Sequence, residues 1–276
     1  MSREINYKCE KTWELFHEGK TKGVFQLESN LGKSWSKKLK PSNIEELAAL
    51  VALIRPGCLK AISDGKSMTQ RYIDRKHGIE EVSYLHDSLK DVLKPTYGVL
   101  VYQEQSMRIA QNLAGFDLKE ADVLRKAIGK KKADLMAKVK KDFVKGCKKV
   151  GTVDEATAEE IFSWIEKSSR YSFNKSHAVS YCVLSYQCAY LLNYYPAEWL
   201  AAFLDKEPET RKERAIATAK SLGYNVEPLN VNTSGVNWEI SEDGKTLVQP
   251  LSSIKGLGIK AIEQIIEHRP FKTVEE

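Results

Sequence analysis

The sequence lacks the features that would mark a secreted, membrane or metal-scaffolded protein. Its five cysteines, Cys9, Cys58, Cys147, Cys182 and Cys188, are odd in number and scattered, with no two separated by only two residues. No Cys/His grouping has zinc-ligand spacing, which excludes a disulfide framework or a structural zinc site as the organising principle. Free thiols in a reducing compartment are the plain reading. No run of about 18 apolar residues exists that could span a bilayer, and no signal peptide is apparent, so the expected location is cytoplasmic. Two Gly-Lys-Thr stretches, at 19–21 and 244–246, are not phosphate-binding loops, because Glu14 and Glu239 stand where the first glycine is needed. No Ser/His/Asp or Cys/His nucleophile set can be assembled, and no metal-ligand set is recognised.

What is present suits a packed, mildly basic protein. The 276 residues are 42% hydrophobic and 29% charged, with a net charge of +6. That composition supports a core and argues against global disorder. The distribution of charge is more telling than its sum. Arg125, Lys126 and then lysines at 130, 131, 132, 138, 140, 141, 145, 148 and 149 face only Asp134 and Asp142.

Periodicity predicts a mainly α fold, α+β only through a few short strands. Helices are expected over 12–18, 43–53, 103–114, 118–128, 133–149, 156–168, 178–192, 197–204 and 209–222. Glu45 and Glu46 suit the first turn of the second of these. Gly129 is expected to end the helix over 118–128, and Pro196 to break that over 178–192. Strands are expected at 24–27 and 98–102. A hairpin is expected from 236–240 and 246–249, around Asp243-Gly244. The turn-rich stretch 227–235 gives an expected boundary, with one region over 1–229 and a second over 230–276.

Two blocks have the residue types that hold polyphosphate. Ala121-Asp-Val-Leu-Arg-Lys-Ala-Ile-Gly-Lys-Lys-Lys132 places Arg125 and Lys126 near one helix end and Lys130, Lys131 and Lys132 before the next helix. Phe173-Asn-Lys-Ser-His-Ala178 opens a helix that Asn174 or Ser176 could cap, with Lys175 and His177 beside its positive end. Read alone, the first block is a solvated basic turn and the second an ordinary capped helix.

Together with Gly23-Val-Phe-Gln-Leu-Glu-Ser29, Ala49-Leu-Val-Ala-Leu-Ile-Arg-Pro-Gly57 and Tyr97-Gly-Val-Leu-Val-Tyr-Gln-Glu-Gln105, these blocks closely resemble the alpha subunit of bacterial DNA polymerase III, the C-family replicative polymerase. Their order and spacing hold from about residue 12 to residue 271. The resemblance implies a helical fingers region. In it, Arg125, Lys126, Lys130, Lys131, Lys132, Asn174, Lys175, Ser176 and His177 would lie at the incoming nucleotide, and Arg55 either contacts it or stabilises the turn at Pro56-Gly57. It also implies that Ser253-Ile-Lys-Gly-Leu-Gly-Ile-Lys260, with the apolar pattern that follows, opens a helix-hairpin-helix unit. Lys255, Gly256, Gly258 and Lys260 would then hold a DNA phosphate without reading sequence, and Gln26 is a further candidate DNA contact.

The chain departs from the family pattern in places. Lys126 stands where a second arginine is usual, Cys58 where the family has proline, and Arg170-Tyr-Ser172 where it commonly has Gly-Tyr-Gly. These departures suit a divergent member, a phage protein among the options. The family's metal-binding palm aspartates lie upstream of the matched region. Catalytic residues are therefore expected elsewhere, in a palm-bearing chain or segment, with magnesium held mainly there and by the nucleotide. Template-primer DNA, a deoxynucleoside triphosphate, that palm partner and a sliding clamp are the implied partners. The alternative expectation, from a different class, is a free-standing DNA- or nucleotide-binding module derived from polymerase fingers, without catalysis.

Overall fold

The computed structural model describes residues 5–273, apart from 64 and 131–132. The chain is mainly helical with a few short strands, as its periodicity implies. In chain order the elements are α1 (Glu10–His17), α2 (Asn30–Leu39), α3 (Ile44–Leu53), α4 (Pro56–Lys60), β1 (Ile62–Ser63), β2 (Lys66–Ser67), α5 (Met68–Lys76) and α6 (Lys90–Leu93). There follow α7 (Gln103–Ala114), α8 (Leu118–Lys130), α9 (Ala133–Val150), α10 (Glu155–Ser169), α11 (Lys175–Tyr194), α12 (Pro196–Lys206) and α13 (Glu209–Ser221). The last are β3 (Asn225–Glu227), β4 (Glu239–Ile240), β5 (Thr246–Val248) and α14 (Ile259–Glu267). The chain divides into two compact units, Met1–Tyr186 and Gln187–Glu276.

In the first unit, α3 shows what full burial does to a helix. Every residue from Glu46 to Leu53 is buried, which matches a segment apolar on all sides. Asn43 accepts from the Glu46 amide at 2.9 Å and starts the helix. Glu46, the one buried acid inside it, is satisfied by the Ser42 amide, by Lys76 at 3.1 Å and by the Tyr97 hydroxyl at 3.0 Å. A second core forms where α7, α8, α9 and α10 pack, with Ile109, Leu113, Leu124, Phe143, Ile161 and Phe162 at its centre. Phe143 lies between Phe116, edge-on at 6.2 Å between ring centroids, and Phe162, tilted at 5.4 Å. These helices follow one another with short connections, so local packing supplies most of this core.

The second unit packs α12 and α13 on a three-stranded sheet of order β3-β5-β4. β4 pairs antiparallel with β5 (Glu239 opposite Val248), the expected hairpin, while β3 lies parallel to β5 (Asn225 opposite Thr246). Asp243 shapes the hairpin turn by accepting from the Lys245 and Thr246 amides and the Thr246 hydroxyl. Leu200, Leu204, Trp238 and Leu247 fill the core beneath.

Three expectations are corrected. Residues 24–27 form turns, not a strand. The Thr21 hydroxyl donates to the Leu27 carbonyl at 2.7 Å, and Gln26 adopts a left-handed φ of 66°. Residues 98–102 form no strand either, only a single parallel bridge between Tyr102 and Phe173. Gly129 does not end α8, which runs through it to Lys130. A lone helical glycine costs only about 1 kcal/mol, which the packed face of α8 outweighs. The elements α2, α4, α5, α6, β1–β2 and β3 fall outside the predicted set. They are short or rich in lysine and serine, and their pattern is weak.

Candidate functional site

Four of the five sequence blocks meet at the start of α11, which begins with Lys175 rather than at 178. Asn174 is the cap. Its Oδ1 accepts from the His177 amide at 2.8 Å and from the Ser176 hydroxyl at 2.7 Å. Its Nδ2 donates to Glu104 Oε1 at 3.0 Å, while the other oxygen of Glu104 accepts the Lys175 amide at 2.9 Å. The backbone reinforces the junction: Phe173 N donates to Val101 O and Gln103 N to Phe173 O, each at 2.9 Å. Block 97–105 is thus bolted to block 173–178.

Block 49–57 arrives through Arg55. Its guanidinium donates to the Tyr171 carbonyl at 2.7 Å and to the Ala52 carbonyl at 2.8 Å, and it lies 4.4 Å from the centre of the Phe173 ring. These interactions order the loop before α11, so Arg55 acts there as a strut. Gly57 is needed beside it, because a Cβ at that position would come within 2.9 Å of the Tyr171 ring. Cys58, in place of the family's proline, is buried and directs its thiol at the Ala52 and Tyr171 carbonyls. Burial pushes that thiol up from its ordinary range, against the pull of Arg55.

Block 23–29 joins through Phe25, whose ring lies 5.2 Å from that of Tyr181, and whose carbonyl accepts the Ser185 hydroxyl at 2.7 Å. Tyr181 is in turn 4.0 Å from the His177 ring, and His177 5.5 Å from Phe173. An aromatic series Phe25–Tyr181–His177–Phe173 therefore runs along the opening turns of α11. Gln26 itself is exposed, next in sequence to Phe25.

The charges at the α11 start balance. Lys175 pairs with Glu45 at 3.0 Å, on a side chain of Glu45 that is 56% exposed. An exposed pair of this kind contributes little and is readily exchanged. Lys175 and Arg55 stand against Glu45 and Glu104, and the first amide of α11 is already occupied by Glu104. The Lys175 ammonium and the exposed His177 ring stand together at this helix start.

The remaining block lies on α8. Arg125 and Lys126 both bond Asp122, at 2.7 Å each, so one carboxylate holds two cations on the same helix face. Those bonds hold the Asp122 carboxyl below its ordinary value. Lys130 ends α8, and Lys131 and Lys132 lie outside the described residues. Among the described residues no hydrogen bond or ion pair joins Arg125 or Lys126 to the side chains at the α11 start.

In the second unit, Gly256 turns the chain with φ 90° and Gly258 caps α14. A Cβ at either would meet nothing within 4 Å, so the backbone there is open to a close-approaching group. Lys255 and Lys260 flank it, both exposed. The segment before this hairpin is only a single tight turn, Leu251–Ser253.

Sequence patterns do not single out Glu104, the residue that fastens α11, or Glu45, the partner of Lys175. Glu104 stands between Gln103 and Gln105 inside a recognised block, but no local rule pairs a carboxylate with an amide 71 residues ahead. Gln105 is buried and structural, accepting from the Val101 and Tyr102 amides and donating to the Val92 carbonyl and the Thr96 hydroxyl. Among the described residues no group of three His, Cys, Asp or Glu side chains could hold a metal ion, and no helix is long and apolar enough to cross a membrane.

Compared with known proteins, residues 2–151 match the model for the bacterial DNA polymerase III alpha subunit finger domain, and residues 223–276 match a helix-hairpin-helix motif. The chain is 45% identical over 260 residues to the DNA polymerase III subunit alpha of Aquifex aeolicus (strain VF5), covering 94% of this chain and 22% of that protein. It is 41% identical over 267 residues to the corresponding protein of Escherichia coli (strain K12), with the same coverage of each chain. Against that of Campylobacter jejuni it is 40% identical over 269 residues, 96% of this chain and 22% of that protein. The chain thus spans about a fifth of the length of these relatives.

Proposed function

The chain belongs to the bacterial DNA polymerase III alpha subunit finger-domain family, and on that premise we propose that it is the fingers portion of a replicative DNA-directed DNA polymerase. In this reading residues 1–229 bind the incoming deoxynucleoside triphosphate. Residues 230–276, through Lys255, Gly256, Gly258 and Lys260, grip the phosphates of the template-primer, with Gln26 as a further DNA-binding residue. The observation that carries the reading is the convergence of four family blocks on the start of α11, with Lys175 and His177 at its positive end.

A triphosphate is a compact polyanion, best held by arginine forks, ammonium groups and helix-start amides. Lys175, Ser176 and His177 supply the last two. Arg125 and Lys126 supply the first two, their exchange partner being the single carboxylate of Asp122. Lys130, Lys131 and Lys132 extend that charge along the sequence. During nucleotidyl transfer negative charge moves on to the leaving pyrophosphate, so a cation fixed beside it binds the transition state more strongly than the ground state. Asn174 and Arg55 orient the start of α11 beside the nucleotide.

Among the described residues the carboxylates form no cluster that could hold a metal. The metal-binding aspartates belong to the palm in this reading, and the chain alone is inactive. The test is primer extension. The purified chain should extend nothing with magnesium and all four nucleotides, and should restore extension when mixed with a palm-bearing chain. Binding to DNA and nucleotide with no restoration by any palm-bearing chain would instead favour a free-standing binding module.

A further inference from the structure

A second basic site lies in the first unit, on side chains that the fingers reading does not use. A cleft of about 880 Å³ opens between α4, the β1–β2 hairpin, α5, the loop at 83–85 and α10. Lys60, Lys66, Arg71, Arg75 and Lys167 line it, and no carboxylate is among the described lining residues. Three rings, Tyr84, Trp164 and Tyr171, form the walls, each partly exposed.

The cations divide into two sets. Lys66 bonds Asp74 at 2.7 Å and Glu80 at 3.0 Å, and Arg75 bonds Glu80 at 2.8 Å and the Ser83 and Tyr97 carbonyls. Arg71 stands 3.4 Å from the same Glu80 and donates to the Ser63 carbonyl. These three set the floor and are stiffened by two carboxylates behind the lining, leaving one positive charge in excess. Lys60 and Lys167 are exposed at the mouth, and neither has an ion-pair partner among the described residues. Two available ammonium groups, a positive floor and aromatic walls without acids are the parts that hold an unpaired nucleic-acid strand: charge along the backbone and rings for the bases. A duplex offers such rings nothing, because its bases are already stacked on one another.

We propose that this cleft seats a short length of single-stranded DNA, apart from the triphosphate site on α8 and α11. The choice of DNA rests on the fingers reading. The site itself rests on the lining. Its seat is indifferent to base sequence, since rings and ammonium groups face it rather than paired donors and acceptors.

The test uses the full chain, with a fluorescent oligothymidylate and a fluorescent duplex titrated in parallel. Lys60→Glu combined with Lys167→Glu changes two exposed side chains, and circular dichroism checks that the variant is folded. The expected result is at least a roughly ten-fold loss of affinity for the oligothymidylate. The log-log salt slope should fall by about 1.4, or 0.7 for each phosphate no longer neutralised. Duplex binding should be unchanged. Trp164→Phe should reduce the quenching of tryptophan emission by the oligothymidylate, an effect that simple loss of charge would not produce. Unchanged oligothymidylate affinity in the double variant, or an equal loss for the duplex, would overturn the proposal. So would competition by thymidine triphosphate alone at the concentration that saturates the α8–α11 site. Failure to restore extension with a palm chain, with oligothymidylate binding intact, would count against the fingers reading and leave the cleft standing.

Discussion

The carboxylate of Glu104 accepts the first amide of α11, that of Lys175, at 2.9 Å across 71 residues of chain. With its second oxygen on Asn174, it fixes the entry angle of the helix that carries Lys175, Ser176 and His177. A charged acceptor at a helix start gains from the helix dipole as well as from its hydrogen bonds.

Glu104→Ala should therefore destabilise the first unit by about 1–2 kcal/mol, as loss of a helix cap does, read from urea unfolding. Glu104→Gln keeps one of the two acceptor oxygens and sets an NH2 donor against the other N–H, so it should recover only part of that loss. Equal stability of the alanine variant and the parent would show that the bridge contributes nothing.

Arg125→Ala, in a polymerase reconstituted with a palm-bearing chain, should lower kcat/KM for the nucleotide by about 2–4 kcal/mol, the range for removing one fixed transition-state donor. DNA affinity should hardly move. Lys126→Arg should be tolerated, since the planar fork serves a phosphate at least as well. Steady-state kinetics at saturating DNA, set beside a DNA titration, check both. A fall in DNA affinity with an unchanged nucleotide KM would make α8 a DNA-backbone patch instead.

The Glu46 carboxyl gives a pH signature. Burial pushes it up, but the Ser42 amide, the Lys76 ammonium and the Tyr97 hydroxyl together outweigh that and hold it below its ordinary 4.5. A carboxyl depressed in the folded state adds stability that is fully present above 4.5 and is lost as pH falls through the lower, folded value. Glu46→Gln should thus be less stable than the parent at neutral pH, by about 1–3 kcal/mol for weakened charge-assisted bonds. The gap should narrow as the pH is taken below 4.5. Thermal unfolding across that range measures it; a gap that widens in acid would reverse the assignment.

Lys255→Gln together with Lys260→Gln should weaken duplex binding evenly across sequences. For every phosphate the variant leaves unneutralised, the log-log salt slope should shrink by about 0.9. A preference for one base sequence in the parent chain would contradict a backbone grip.

Much of this arrangement is legible in sequence, and the remainder for physical reasons is not. Helices with strong periodicity and caps lie close to where the pattern puts them: α7 begins and ends as expected, and α3 starts from Asn43 as its Glu45 and Glu46 suggest. The segment at 24–27, apolar but for Gln26, reads as a strand because period and propensity see only side chains. The bond from the Thr21 hydroxyl to the Leu27 carbonyl decides it as a turn. Gly129 reads as a stop because an isolated glycine is a weak helix former, yet the buried face of α8 carries the helix past it. At the site, residue types are readable and partners are not. Lys175 and Asn174 are visible, whereas Glu45 and Glu104 become relevant only once α3, α7 and α11 are brought together.

The backbone leaves this junction at Val101–Gln103 and returns to it at Phe173, with Gln103 N and Phe173 O 2.9 Å apart. Everything from α7 to α10 is therefore an excursion that starts and finishes at one point, with a core that it shares with Leu89, Leu93 and Leu100 ahead of it. Because those three leucines pack into it, a change inside the excursion is felt in the segment before it as well as at the junction.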